Sequence, residues 1–81
     1  MTEETTELEL ESRIESIARA AEVAAQVVGR LGLGDEVAYG VDMAVREAVT
    51  NAVLHGNKQD EAKKVEVKFR GSPEMLEITV R

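Results

Sequence analysis

An alanine- and valine-rich stretch in the middle of the chain, AVREAVTNAVLHGN at residues 44–57, constrains the fold most strongly. Its small apolar residues recur at helical spacing and share one side of a helix, at about 100° per residue. The residues on this apolar side are Val37, Val41, Ala44, Val45, Ala48 and Ala52. Asp42, Arg46 and Thr50 project to the other side. The pattern predicts an amphipathic helix that packs one face against an apolar core.

Two polar residues of this helix, Glu47 and Asn51, lie on the flank between the apolar and polar sides. They are four positions apart, so they project from the same side of a helix, where such groups can line a pocket. A carboxylate in that position can act as a general base, and an amide oxygen suits Mg²⁺. The alternative is that both are ordinary flank residues that contact each other. The spacing alone does not separate these two interpretations.

The longer string EAVTNAVLHGN, from Glu47 to Asn57, resembles the N box of the GHKL, or Bergerat-fold, ATP-binding superfamily. It is most similar to the bacterial anti-sigma-factor serine/threonine kinases, and the order of elements matches that family over nearly all of the chain. The resemblance implies that Glu47 is the catalytic general base and that Asn51 is the metal ligand and cofactor-binding residue. It also implies Mg²⁺ and ATP as cofactors, a serine on an antagonist protein as phosphoryl acceptor, and a sigma factor or anti-anti-sigma protein as partner.

The resemblance covers only the N-terminal half of such a domain. The family reads adenine with an Asp-x-Gly-x-Gly loop after the strand that would here be Leu76 to Val80, and it holds the phosphates with a second glycine-rich segment. Beyond Gly56 the chain has one glycine, Gly71, so successive backbone N–H groups for a phosphate cradle are missing. We therefore expect a chain that carries the catalytic helix and is not catalytically competent alone.

Two alternatives stay open at this point. The chain can be a fragment of a sensor histidine kinase ATPase domain, because the N box alone does not separate the branches of the superfamily. It can also be a non-enzymatic module that keeps the scaffold for self-association or for binding a partner. The residues encoded after Arg81 would separate the first alternative, and nucleotide binding would separate the second.

The remaining patterns predict the order β-α-α-β-β, an α+β two-layer sandwich that is half of a Bergerat ATP-binding fold. Residues 1–81 form one partial domain. The first strand runs from Thr6 to Glu11, with Leu8 and Leu10 on one face, and Ser12 with Glu15 matches a capping box. The first helix has an apolar arc, which Ala20, Val23 and Val27 widen after its main members. Those members are Ile14, Ile17, Ala18, Ala21, Ala24, Ala25 and Val28.

An aspartate and a glycine are expected to mark the ends of the second helix. Asp35 is its expected N-cap and Gly56 its expected C′ residue. The projected position of His55, the only histidine, is on the core side of the helix end. We therefore expect a structural role for its ring, with a nitrogen bonded to the backbone.

A hairpin follows a polar loop at Asn57 to Lys63. Its first strand runs from Lys64 to Arg70, its turn is Gly71 to Glu74, and its second strand runs from Leu76 to Val80. The last strand is expected at an unpaired sheet edge, which invites pairing with another chain. We therefore expect a homo-oligomer, dimeric or higher.

Charge and composition exclude several classes of protein. Ten Lys and Arg against sixteen Asp and Glu give a net charge of −6, which argues against nucleic acid as a partner. The sequence has no cysteine, so disulfides and thiolate metal sites are excluded. No apolar run approaches the roughly 20 residues that a membrane span requires, and the N-terminus is acidic. We therefore expect a cytoplasmic protein without membrane attachment.

Overall fold

Two helices cover one face of a three-stranded antiparallel sheet in the computed structural model, which describes residues 3–56 and 62–81. The elements occur in the order β-α-α-β-β. They are β1 (Glu4–Glu11), α1 (Glu15–Leu31), α2 (Asp35–Asn51), a π-helical turn (Ala52–Gly56), β2 (Lys64–Ser72) and β3 (Met75–Val80). The predicted α+β class and element order are confirmed.

The sheet has the order β1-β2-β3, so β1 and β3 are its edges within the described part of the chain. Leu8 of β1 lies opposite Val67 of β2, and Phe69 of β2 lies opposite Ile78 of β3. Side chains alternate between the two faces along each strand. Val65, Val67 and Phe69 are therefore buried under the helices, as their alternation predicts, whereas Glu66, Lys68 and Arg70 are exposed.

The core contains mainly valine and alanine, because the chain has only two aromatic residues. Phe69 supplies the one aromatic ring of this core. The buried core residues are Leu10, Ala20, Val23, Ala24, Val27, Leu31, Val45, Val49, Val53, Val65, Val67 and Phe69. Such small side chains allow the helices to approach the sheet closely.

Both helices are rotated relative to the predicted arcs. In α1, Val23 and Val27 lie in the core, while Ile14 is 56% exposed and Ala18 and Ala25 are also exposed. Ala21, Ala24 and Val28 are buried as predicted. The physical reason is that burying a valine removes more apolar surface from water than burying an alanine.

The same correction applies to α2. Val49 and Val53, which the predicted arc omits, are completely buried together with Val45. Val37 is 42% exposed and Ala44 is exposed. Val41, Ala48 and Ala52 are only partly buried. The core-facing line of α2 therefore consists of valines that are four residues apart.

The start of α1 differs from the predicted capping box. The helix begins at Glu15 with Ile14 at the N-cap position and no side-chain cap. Ser12 is therefore too far upstream to cap the first turn, and its buried hydroxyl has no hydrogen-bond partner among the described residues. The hydroxyl of Ser16 instead donates to the carbonyl oxygen of Glu11 at 2.6 Å.

Two glycines turn the chain between the helices. Gly32 has φ 67° and its N–H donates to the Gly29 carbonyl, while the N–H of Leu33 donates to the Val28 carbonyl. This Schellman motif ends α1. Gly34, with φ 88°, occupies the N-cap position of α2, so Asp35 is the first helical residue and not the predicted cap. Its carboxylate still lies at the positive end of the helix dipole.

The hairpin is tighter than predicted. β2 continues to Ser72 and pairs there with Met75, so the turn itself consists of Pro73 and Glu74. Of the predicted loop at 57–63, residues 57–61 lie outside the described residues. No helix in the described ranges has the length and apolarity needed to cross a membrane.

Candidate functional site

The predicted site residues lie on the surface of α2. Glu47 is one turn before Asn51, and both side chains are exposed. Neither forms a side-chain hydrogen bond or ion pair with residues 3–56 or 62–81. Glu47 and Asn51 therefore do not form the mutual hydrogen bond that the ordinary flank interpretation allows, and their polar atoms face solvent.

Neighbouring polar side chains on α2 are engaged. Arg46 Nε donates to Asp42 Oδ2 at 3.0 Å and to Oδ1 at 3.2 Å. The hydroxyl of Thr50 donates to the backbone carbonyl of Arg46 at 2.6 Å. These groups bind within the helix, whereas Glu47 and Asn51 have no side-chain partner among residues 3–56 and 62–81.

The helix geometry changes directly after Asn51. Ala52–Gly56 form a π-helical turn, a rare conformation that occurs frequently at functional sites. The wider turn rotates the following side chains relative to an α-helical projection. Val53 remains completely buried and His55 is exposed.

The predicted core-side position of His55 is therefore wrong. Its side chain is exposed and forms no hydrogen bond with residues 3–56 or 62–81; the predicted bond of its ring to backbone is not tested for residues 57–61. The projection failed because its arc omitted Val49 and Val53: His55 is two residues from the buried Val53, which is about 200° around an α-helix. His55 instead follows Asn51 on the exposed side of the same helical segment.

Two surface depressions lie in the described part of the chain, away from Glu47 and Asn51. One, of about 580 Å³, lies on the sheet face opposite the helices and is lined by residues that include Glu66, Lys68 and Arg81. The other, of about 330 Å³, lies at the connection between the helices beside Gly32 and Gly34. Neither includes Glu47 or Asn51. Both predicted site residues are exposed, and their roles remain predictions.

The donor chemistry at this surface fits Mg²⁺ better than a softer metal. Asn51 offers an amide oxygen and Glu47 a carboxylate, and Mg²⁺ prefers such oxygen ligands together with phosphate and water. Residues 3–56 and 62–81 contain no group of three or more His, Cys, Asp and Glu that could hold a metal ion. A protein-only metal cage is thus not seen in the described part.

Sequence reasoning did not single out Tyr39. It is 70% exposed, and Met43, one turn later, is 54% exposed. Both precede Glu47 at intervals of four residues. This spacing was the available signal, since residues four apart lie along one ridge of a helix.

A search among curated proteins found no match to the chain. The family profile described as "Histidine kinase-like ATPase domain" matches residues 10–81. This match includes both helices, the π-helical turn and the hairpin. The chain therefore belongs to the histidine kinase-like ATPase domain family.

Proposed function

We propose that this chain supplies the Mg-ATP-handling helix of a serine/threonine kinase of the anti-sigma-factor type. Glu47 is the general base and Asn51 is the metal ligand. The observation that supports these roles is the exposure of both side chains on one ridge of α2, free of other side-chain partners in the described part. The string from Glu47 to Asn57 supports the anti-sigma type within the family.

The two residues have separate tasks in phosphoryl transfer. The carboxylate of Glu47 would accept the proton of the acceptor hydroxyl while that oxygen bonds to the γ-phosphorus and the bond from the γ-phosphorus to the ADP oxygen breaks. The amide oxygen of Asn51 would hold Mg²⁺, which would supply positive charge for the phosphate oxygens during the transfer.

We propose further that the chain does not catalyse this transfer alone. The transfer depends mainly on positioning and charge stabilisation, and the sequence has neither an Asp-x-Gly-x-Gly motif nor a glycine-rich segment after Gly56. Asn51 can bind the metal, but the adenine needs contacts from other polypeptide. Binding of Mg-ATP to these residues alone should be weak, about millimolar.

An NMR titration with Mg-ATP tests this function at such weak affinity. We expect the backbone resonances around Glu47 and Asn51 to shift in the unmodified chain. Asn51→Ala should remove these shifts, whereas Gln26→Ala, which removes an exposed amide from α1, should retain them. Absence of shifts in the unmodified chain, or equal shifts in Asn51→Ala, would contradict the proposal.

A second proposal is self-association through the edge strand β3. Leu76, Ile78 and Val80 are only partly buried on its helix-facing side, so pairing with a second copy would cover apolar surface and satisfy an open strand edge. Light scattering coupled to size-exclusion chromatography tests it. A monomer at millimolar chain concentration would contradict it.

A further inference from the structure

The first strand, β1, pairs with β2 and with no other strand of the described ranges. Glu66 of β2 exchanges both of its backbone hydrogen bonds with Arg81, at 3.1 and 2.9 Å. The residue opposite Glu66 on its other side is therefore in a non-hydrogen-bonded pair of the antiparallel ladder. That residue is Glu9 of β1. Its backbone N–H and C=O consequently point away from β2, toward the open edge.

The same orientation recurs at every second residue of β1, because backbone groups alternate sides along a strand. Thr5 and Glu7 therefore present their N–H and C=O at the open edge together with Glu9. No turn, loop or cap hydrogen bond within residues 3–56 and 62–81 uses these groups. Glu11 differs, because its carbonyl accepts from the Ser16 hydroxyl at 2.6 Å. The open segment of the edge is thus Thr5 to Glu9.

This open segment is acidic on the sheet face opposite the helices. Glu7 and Glu9 are exposed there and line the depression of about 580 Å³ on that face. Glu7 Oε2 is 3.9 Å from Lys68 Nζ, a long ion pair. Glu9 lies directly opposite Glu66, and neither carboxylate has an ion pair in the part of the chain that the structure describes. Since like charges opposite each other destabilise a sheet, a cation on the open side of Glu9 would offset this repulsion.

We propose that the open edge of β1 binds an extended segment of a partner protein as a fourth, antiparallel strand with basic side chains at alternate positions. Residues that exchange backbone hydrogen bonds with Glu7 and Glu9 lie directly opposite them, on the same face of the sheet. Lysine or arginine there meets the two carboxylates at about 5 Å between Cβ atoms. The residue between them lies opposite the partly buried Leu8, where an apolar side chain covers it. The sequence of the bound segment is therefore basic, apolar, basic.

The charge of this edge favours a basic partner over a second copy of the same strand. A second β1 would place glutamates against glutamates, and charged side chains of one sign on an edge strand oppose such self-pairing. The net charge of −6 also attracts a basic segment before contact. The corresponding face of β3 carries charges of both signs, with Glu77 followed by Arg81. Self-association at β3 is therefore a separate interaction.

Labelled peptides of one composition test the strand geometry. The probe contains Lys-Val-Lys-Val-Lys between glycine-serine ends, and its shuffled partner contains Lys-Lys-Val-Val-Lys. Fluorescence anisotropy with the full 81-residue chain should show about tenfold tighter binding of the alternating peptide. A third peptide has the alternating sequence with N-methyl groups on the lysine backbone nitrogens, which keeps the charge and removes the hydrogen bonds. It should bind about as weakly as the shuffled peptide. Equal binding of all three would mean charge attraction without strand pairing and would overturn the inference.

Two glutamate variants with the same change of charge locate the binding edge. Glu9→Gln should weaken binding of the alternating peptide about threefold, because it removes one cross-strand pair of opposite charges. It should also raise the free energy of unfolding of the free chain, because it removes the like charge opposite Glu66. Glu36→Gln lies on the exposed surface of α2 and should do neither, since distant charges are screened. An equal loss of binding in both variants would contradict the proposed edge.

Amide hydrogen exchange monitored by NMR reports on the edge itself. The N–H groups of Glu7 and Glu9 point toward solvent in the free chain, whereas the N–H of Leu8 faces β2. Addition of the alternating peptide should slow exchange at Glu7 and Glu9 and leave Leu8 unchanged. Unchanged exchange at Glu7 and Glu9 with the peptide bound would place it elsewhere and refute strand addition. Protection of these two amides at high chain concentration without peptide would assign the edge to a second copy, which also overturns the inference.

Discussion

Glu4 and Arg30 connect the first strand to the last turn of the first helix. Arg30 Nε donates to Glu4 Oε1 at 2.7 Å, and the same guanidinium donates from its terminal nitrogen to the Thr6 hydroxyl at 3.2 Å. The two partners are 26 positions apart in sequence. Among the described strands, β1 pairs only with β2. The Arg30–Glu4 ion pair additionally connects β1 to α1.

Replacing this arginine should produce a small, salt-dependent loss of stability. Both side chains are partly exposed, at 49% and 34%, so the pair should contribute only about 0.5 kcal/mol at low salt. Arg30→Gln should lose this amount in urea unfolding at low ionic strength and almost nothing in 1 M salt. Arg19→Gln, which breaks a pair within α1, should not loosen β1 in hydrogen exchange. A loss independent of salt would contradict the electrostatic explanation.

The fold was predictable where one residue pattern determined the element. Alternation identified the inward residues Val65, Val67 and Phe69, and helical periodicity located both helices. The faces of the helices were less predictable, because alanine is tolerated both in the core and at the surface. The valines determined how each helix is rotated about its axis, since Val23 of α1 and Val49 of α2 are buried in the core.

The candidate site was predictable only in part. The positions of Glu47 and Asn51 on one side of α2 followed from their spacing. The exposure of His55 did not follow, because the predicted arc omitted Val49 and Val53 and so placed the core on the wrong side of the helix end.

A pair of valine substitutions tests the observed orientation of α2. Val49 is completely buried, whereas Val37 is 42% exposed. Val49→Ala should reduce the free energy of unfolding by about 2 kcal/mol. Val37→Ala should change it by less than about 0.5 kcal/mol. The change from valine to alanine raises helix propensity equally in both variants. The difference between their free energies of unfolding, measured in urea, therefore reports how deeply each side chain is buried. Equal effects would contradict the orientation described for α2.

Two serines near the start of α1 should respond in opposite directions. The buried Ser12 hydroxyl has no partner among the described residues, whereas Ser16 donates to the Glu11 carbonyl. Ser12→Ala removes an unsatisfied polar group and should stabilise the fold by about 1 kcal/mol. Ser16→Ala removes a hydrogen bond and should cost about 1 kcal/mol. Thermal unfolding of both variants measures the difference, and a destabilised Ser12→Ala would show that its hydroxyl is satisfied in solution.

Gly71 and Gly29 form another matched pair. A Cβ at Gly71 would lie 2.7 Å from the backbone oxygen of Met75 and 3.1 Å from the side chain of Leu31, whereas a Cβ at Gly29 meets nothing within 4 Å. Gly71→Ala should therefore cost about 2 kcal/mol through displacement of the hairpin. Gly29→Ala should stabilise α1 by about 0.5–1 kcal/mol. A neutral Gly71→Ala in urea unfolding would show that the hairpin adapts.

Substitutions at the proposed site should leave the stability of the fold intact. Glu47 and Asn51 are exposed and make no side-chain hydrogen bond within the described ranges, so Glu47→Gln and Asn51→Ala should change the free energy of unfolding by less than about 0.5 kcal/mol. Glu36→Gln, another exposed carboxylate on α2, is the control for loss of charge. Urea unfolding measures all three. A loss above about 1 kcal/mol at Glu47 or Asn51 would mean that these residues support the helix, which favours the ordinary flank interpretation over a catalytic one.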